Sequence, residues 1–141
     1  MKKLFLAILI IVAVASAGPI SFAVENAPNN KVVVYYFHGT FRCPTCHKLE
    51  QYSKEAIETS FKDALRSGKL EYKVVNVEHK GNEHYTSDYQ LYTKSLVLSL
   101  VKDGKETKWK NLEKIWEYVG NKQKFVDYVK TGVSDFLKEV E

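Results

Sequence analysis

Hydrophobic and polar positions divide the chain into an apolar head, a short polar leader and a long patterned body. Leu4 to Ala15 is an unbroken apolar run of 12 residues, and Glu25 to Asn30 is polar. Val32 to His38 is continuously apolar, which predicts a central strand covered on both faces. Leu49, Tyr52, Ala56, Ile57, Phe61, Ala64 and Leu65 follow at three-and-four spacing, which predicts a helix from Cys46 to about Arg66 with Gly68 as its C-cap. Leu70, Tyr72 and Val74 alternate with polar neighbours, and Val75 and Val77 continue this second strand. His79 to Glu83 reads as a polar loop. Thr86 to Thr93 reads as a short helix capped by Thr86 or Ser87. Ser95 to Val101 is a third strand, Asp103-Gly104 a hairpin turn, and Lys105 to Lys110 the returning strand. Leu112 to Val119 has helical periodicity. Asn121 caps a last helix whose apolar face holds Phe125, Val126, Val129, Val133, Phe136 and Leu137, with Gly132 as a point of kinking or splitting.

This order is strand, helix, strand, helix, strand, hairpin strand, helix. The first crossover makes a parallel pair and the hairpin adds antiparallel strands. The expected fold class is α/β, a central mixed four-stranded sheet flanked by helices.

Composition and the N-terminus narrow the setting. Met1-Lys2-Lys3 precedes the apolar run, and Ala15-Ser16-Ala17 and Ser21-Phe22-Ala23 both fit small-x-small cleavage sites. Residues 1–23 are therefore expected to be a secretory signal peptide, cut after residue 17 or 23. The run falls short of the ~20 apolar residues of a span, which disfavours the alternative of a retained anchor. Residues 24–30 are expected to form a flexible leader, and residues 31–141 one domain. The full chain's net charge of +4 falls to about +2 once Lys2 and Lys3 leave with the signal, a mild and interspersed charge, so nothing argues for a nucleic-acid partner. Export, to a bacterial periplasm or the exterior, puts the cysteines in a disulfide-permissive compartment.

The two cysteines form one motif, Cys43-Pro44-Thr45-Cys46, where the first strand gives way to the first helix. A helix start offers unpaired N–H groups and partial positive charge, which stabilise a thiolate. A purely structural bridge is a poor alternative, because so short a loop removes little entropy from the unfolded chain. Cys43, at the helix start, is expected to be the nucleophile, and Cys46, about a turn inside, the resolving thiol. Pro44 suits the first helical turn. Arg42 is placed to add positive potential, and His47, four residues after Cys43, to favour the thiolate if protonated. Glu50, four residues after Cys46, is a candidate acceptor for its proton.

Two alternatives use the same residues. Cys46-His47 completes the Cys-x-x-Cys-His pattern of c-type haem attachment, with His38, His79 or His84 as second ligands. The dithiol is also a potential metal or metalloid ligand pair, although one Cys pair with His47 is short of a four-ligand metal site, so no metal is assigned. There is no Walker pattern, dinucleotide fingerprint or flavin motif, so no cofactor is expected.

Strand, Cys43-Pro44-Thr45-Cys46, long helix, then β-α-β-β-α resembles the thioredoxin fold from about Lys31 to Leu137. Lys102-Asp103-Gly104-Lys105 is similar to the hairpin of that superfamily. The stretch Tyr36 to Cys46 also resembles small exported bacterial proteins of an ArsF-type nitroreductase-subunit family, whose flavin would sit on a partner. The resemblance implies a thiol–disulfide oxidoreductase acting on a protein or small-molecule thiol or disulfide, and export adds a membrane electron donor or acceptor as a further partner. Two departures favour a second reading, a non-catalytic redox subunit or metal-binding module. The stretch Tyr92-Thr93-Lys94-Ser95-Leu96 has no proline where thioredoxins carry a cis-proline, so Ser95 takes that place facing the cysteines. The acid that thioredoxins bury six residues before the first cysteine falls on Phe37.

Overall fold

The computed structural model describes residues 28–140. The expectations for the signal peptide and most of the leader lie outside these residues. The elements are β1 (Lys31–His38), α1 (Pro44–Ser60), α2 (Lys62–Arg66), β2 (Leu70–Asn76), α3 (His84–Asp88), β3 (Ser95–Lys102), β4 (Lys105–Asn111), α4 (Ile115–Tyr118) and α5 (Lys122–Lys138). The sheet order is β2-β1-β3-β4. β1 runs parallel to β2 and antiparallel to β3, and β3 pairs antiparallel with β4. This is the expected mixed four-stranded sheet of an α/β fold, with the connectivity implied by the thioredoxin resemblance.

The two faces of the sheet are unequal. On one, Val32, Val34 and Tyr36 of β1 and Leu96, Leu98 and Leu100 of β3 pack against Leu49, Ala56 and Ile57 of α1 and Phe125, Val129, Val133 and Phe136 of α5. On the other, Phe37 and Val97 lie under Tyr89 and Leu91, with Tyr35, Tyr85 and Trp109 around them. Both faces of β1 and β3 are thus covered, which accounts for their unbroken apolar runs.

Several local expectations shift. The first helix starts at Pro44 and breaks at Phe61, whose φ of −128° leaves the helical region while its amide still bonds to Ile57 O. Gly68 then follows the Ser67 cap of α2 at φ +73°, a left-handed position suited to glycine. α3 lies earlier than predicted, and neither Thr86 nor Ser87 caps it. Its end is set by burial: Tyr89 and Leu91 both turn into the second sheet face, and Gln90 between them takes φ 51°. Asp103 and Gly104 have φ of 50° and 74°, as a tight hairpin between right-twisted strands requires. α5 runs through Gly132 without interruption. There the glycine permits a close approach, since a Cβ would stand 3.1 Å from Leu112 Cδ2. Asn121 caps α5 as expected, accepting from the Lys124 amide.

At the far end of the sheet from the cysteines, the Gly104 amide bonds to Asn29 O and the Asp103 amide to Asn30 Oδ1. The chain entering β1 is therefore fastened to the β3–β4 turn.

Candidate redox site

β1 carries the chain to one end of the sheet, and Gly39–Arg42 leads it into α1. Cys43 is the N-cap, with extended backbone (φ −83°, ψ 165°), and its sulfur accepts a hydrogen bond from the Cys46 amide at 3.2 Å. Pro44 takes the first helical turn, where its missing N–H leaves no partner unsatisfied. No acidic residue occupies that turn, so no carboxylate there offsets the positive end of the helix beside Cys43. Cys43 and Cys46 are joined by a disulfide, with Cα atoms 5.0 Å apart. Cys43 is half-buried, whereas Cys46 is 1% exposed.

The floor under Cys46 was not legible by counting back from the motif. Phe37, six residues before Cys43, faces the other side of the sheet and stacks on Tyr35. The side chain that points at α1 is Tyr36, fully buried, whose hydroxyl donates to Cys46 O at 2.7 Å. Burial pushes the Tyr36 phenol up to about 12, and the nearby Arg42 guanidinium partly opposes the rise. The signal for Tyr36 lay in the two-residue period of β1, which puts positions 32, 34 and 36 on one face. A run apolar on both faces hides that period.

Arg42 turns back along α1 and pairs with Glu50. Thr45 is half-buried and His47 exposed on the helix surface. Ser95 opens β3 beside Phe37, at the same end of the sheet; it is buried, and its hydroxyl donates to Thr93 O at 2.9 Å. The structure thus gathers Arg42, Cys43, Pro44, Thr45, Cys46 and His47 around one helical turn and places Ser95 on the sheet end from which that turn departs.

The surface around this end is rich in aromatic side chains. Phe41 is 79% exposed and Tyr92 95% exposed. Trp116 is exposed, and its indole N–H donates to Lys94 O at 2.9 Å. A cavity of about 260 Å³ opens between Tyr92, Lys94, Ser95, Trp109, Glu113 and Trp116. Trp109 is half-buried with its ring edge-on to Tyr89.

A smaller cavity of about 180 Å³ lies among His38, Gly39, Glu78 and Lys94. The Thr40 amide donates to Glu78 at 2.9 Å and holds that carboxyl below its ordinary range. Gly39 lies against the same carboxylate, so a side chain there would push Glu78 away from the Thr40 amide. The remaining histidines stay apart from the cysteines: His84 stacks on Tyr85 of α3 and His79 sits in an exposed turn. Among the described residues, no three His, Cys, Asp or Glu side chains converge as a metal site.

No family model and no curated protein matches the chain. Among solved structures, the chain is similar to a cysteine-to-serine variant of Entamoeba histolytica thioredoxin, at 21% identity and a TM-score of 0.39, over 72% of this chain and 81% of that one. It is also similar to Fasciola hepatica thioredoxin, at 20% identity and a TM-score of 0.36, over 64% of this chain and 79% of that one.

Proposed function

We propose that the protein is an exported thiol–disulfide oxidoreductase with Cys43 as nucleophile and Cys46 as resolving thiol. The observation that carries this is the Cys43 sulfur at the N-cap of a 17-residue helix, taking the Cys46 amide while Cys46 is buried behind it. In the reduced protein the same amide and the helix dipole stabilise a Cys43 thiolate. That thiolate attacks one sulfur of a substrate disulfide. The substrate S–S bond breaks, and the departing thiolate takes a proton from water. Cys46 then loses its proton and attacks the Cys43 sulfur. The mixed disulfide breaks, the second substrate thiolate leaves, and the Cys43–Cys46 bond is restored. The substrate is oxidised material on a protein or small thiol, and the reverse sequence oxidises a dithiol. The exposed aromatics Phe41, Tyr92 and Trp116 offer apolar contact for such a partner.

Alkylation of the reduced protein across pH tests the reading. One thiol should titrate well below the free value of about 8.5. Two thiols reacting like free cysteine would remove it. The export reading rests on the basic start and apolar run of residues 1–15, and N-terminal sequencing of secreted material should find a start at residue 18 or 24.

One observation favours a second reading, capture of a thiophilic metal or metalloid by the dithiol. Ser95 stands where the resemblance implies a proline that would cover the dithiol, and it opens β3 at the end of the sheet from which the cysteine turn departs. An insulin-reduction assay separates the two, since turnover lost in Cys43→Ser requires chemistry rather than capture alone. The haem reading fits poorly. Thioether attachment needs both sulfurs accessible at one porphyrin edge, and Cys46 is 1% exposed.

A further inference from the structure

Arg42 and Glu50 bracket the dithiol. Arg42 immediately precedes Cys43, and Glu50 lies one turn beyond Cys46 on the same helix. Their side chains are about a quarter exposed, yet the contact itself is dry: Arg42 Nε, Arg42 Nη2 and Glu50 Oε2 are all withdrawn from solvent, and none has a hydrogen-bond partner outside the ion pair. The neighbouring groups are two buried phenols, which both feel the Arg42 guanidinium, and the Glu58 carboxylate, which acts on one of them. From β1 comes the neutral Tyr36 hydroxyl, bonded to Cys46 O. From β2 comes Tyr72, whose hydroxyl is buried without a partner, with Glu58 of α1 acting on it. From α5, Lys122 is committed to Glu55, further along α1. His47 is solvent-exposed on α1.

We infer that the Arg42–Glu50 pair sets the reduction potential of the Cys43–Cys46 dithiol by holding two opposite charges in balance beside it. The inference rests on the oxidoreductase reading. Reduction of the disulfide by two glutathione molecules gives the protein dithiol and one glutathione disulfide, and near neutral pH a stabilised Cys43 carries negative charge. The disulfide carries none. Any uncompensated charge nearby therefore shifts the equilibrium, and does so in a direction set by its sign. An unpaired Arg42 guanidinium stabilises the thiolate, lowers the Cys43 pKa and favours the reduced form. An unpaired Glu50 carboxylate does the opposite.

The test is the glutathione redox equilibrium of the mature protein, with a pH profile of Cys43 alkylation beside it. Glu50→Gln should shift the equilibrium about 3- to 10-fold toward the reduced form and move the alkylation midpoint down. Arg42→Gln should shift it a similar factor toward the disulfide and move the midpoint up. Tenfold corresponds to about 30 mV. The double variant should fall within about twofold of the wild type, and Arg42→Lys, which keeps the charge, should stay near it. If Glu50→Gln does not fold by circular dichroism, Glu50→Met, which keeps the packed stem, carries the same expectation. Single variants that both stay within twofold of the wild type, or that shift in the same direction, would overturn the inference, because a merely structural clasp loosens identically from either end. Neither measurement needs substrate turnover. An inactive wild type with opposite shifts would thus sink the oxidoreductase reading while leaving the charge balance standing.

Discussion

Replacing Tyr36 by phenylalanine tests whether the floor beneath the dithiol is built as described. The change removes one oxygen from a fully buried ring and leaves its packing on the α1 side of the sheet intact. What is lost is the 2.7 Å hydrogen bond to Cys46 O. Cys46 O is a carbonyl of α1 with a second lone pair for the helical ladder, so it is not orphaned. The expected cost is therefore that of one buried hydrogen bond, about 1 kcal/mol. For a domain of this size that lowers the melting temperature by roughly 3–5 °C. The bond reaches the backbone and not the sulfur, so the loss should appear in both the disulfide and the dithiol forms. Urea and thermal unfolding of both forms, monitored by circular dichroism, give the measurement. Tyr92→Phe is the control, since that ring is 95% exposed and should change nothing. A Tyr36→Phe variant as stable as this control would show that the hydroxyl does not tie β1 to the cysteine turn.

Three further outcomes follow from the same geometry. Cys46→Ser should trap a covalent mixed disulfide with an oxidised substrate, visible by mass spectrometry, whereas Cys43→Ser should trap little, because the remaining sulfur is buried. Burial raises the Tyr36 phenol to about 12 and, joined by the charges of Tyr85, Glu106 and Glu71, also raises Tyr35 to about 12. A native pKa raised above the unfolded value of about 10 gives stability that is whole below pH 10 and lost between pH 10 and 12, so the urea midpoint should fall across that window and be flat from pH 8 to 9. Gly132→Val should lower stability by about 1–3 kcal/mol with an unchanged m-value, because its Cβ alone would stand 3.1 Å from Leu112 Cδ2 and 3.4 Å from Leu98 Cδ1.

Elements governed by local patterning were readable from the sequence. The Asp103-Gly104 turn and the Asn121 cap each depend on residues within a few positions, and each appears as read, whereas the alternation read in β2 breaks at Val74, which is exposed. What failed was set at a distance. α3 ends where it does because Tyr89 and Leu91 are drawn onto Phe37 and Val97, residues far away in sequence. Gly132 suggested a weak point in α5, but its role is contact with Leu112 and Leu98 across the core. The motif made Cys43, Pro44 and Cys46 legible, because a helix start and its cap are local. Tyr36 was not, because which face of β1 looks at α1 is decided by packing, and both faces are apolar. Arg42 was read for its charge, while its direction along α1 toward Glu50 depends on a pairing that sequence spacing alone does not reveal.

The chemical asymmetry of the two cysteines is a by-product of how α1 packs. Leu49, Ser53, Ala56 and Ile57 are the other buried positions of this helix, at three, seven, ten and eleven residues after Cys46. Those spacings put Cys46 on the stripe that faces the sheet. Cys43 lies one turn earlier, where the chain has not yet entered the helix, so it stays at the rim. The core contacts that fix the rotation of α1 therefore also decide which sulfur lies at the rim and which is buried. Turning the helix by one residue, about 100°, would carry Cys46 off that stripe and undo this asymmetry. The same packing brings Tyr36 under Cys46 O, so the strand that delivers the chain to the motif also holds its second cysteine in place. Fold and chemistry here share one set of buried residues, and mutations of Leu49 or Ile57 should disturb the order of thiol reactivity as well as stability.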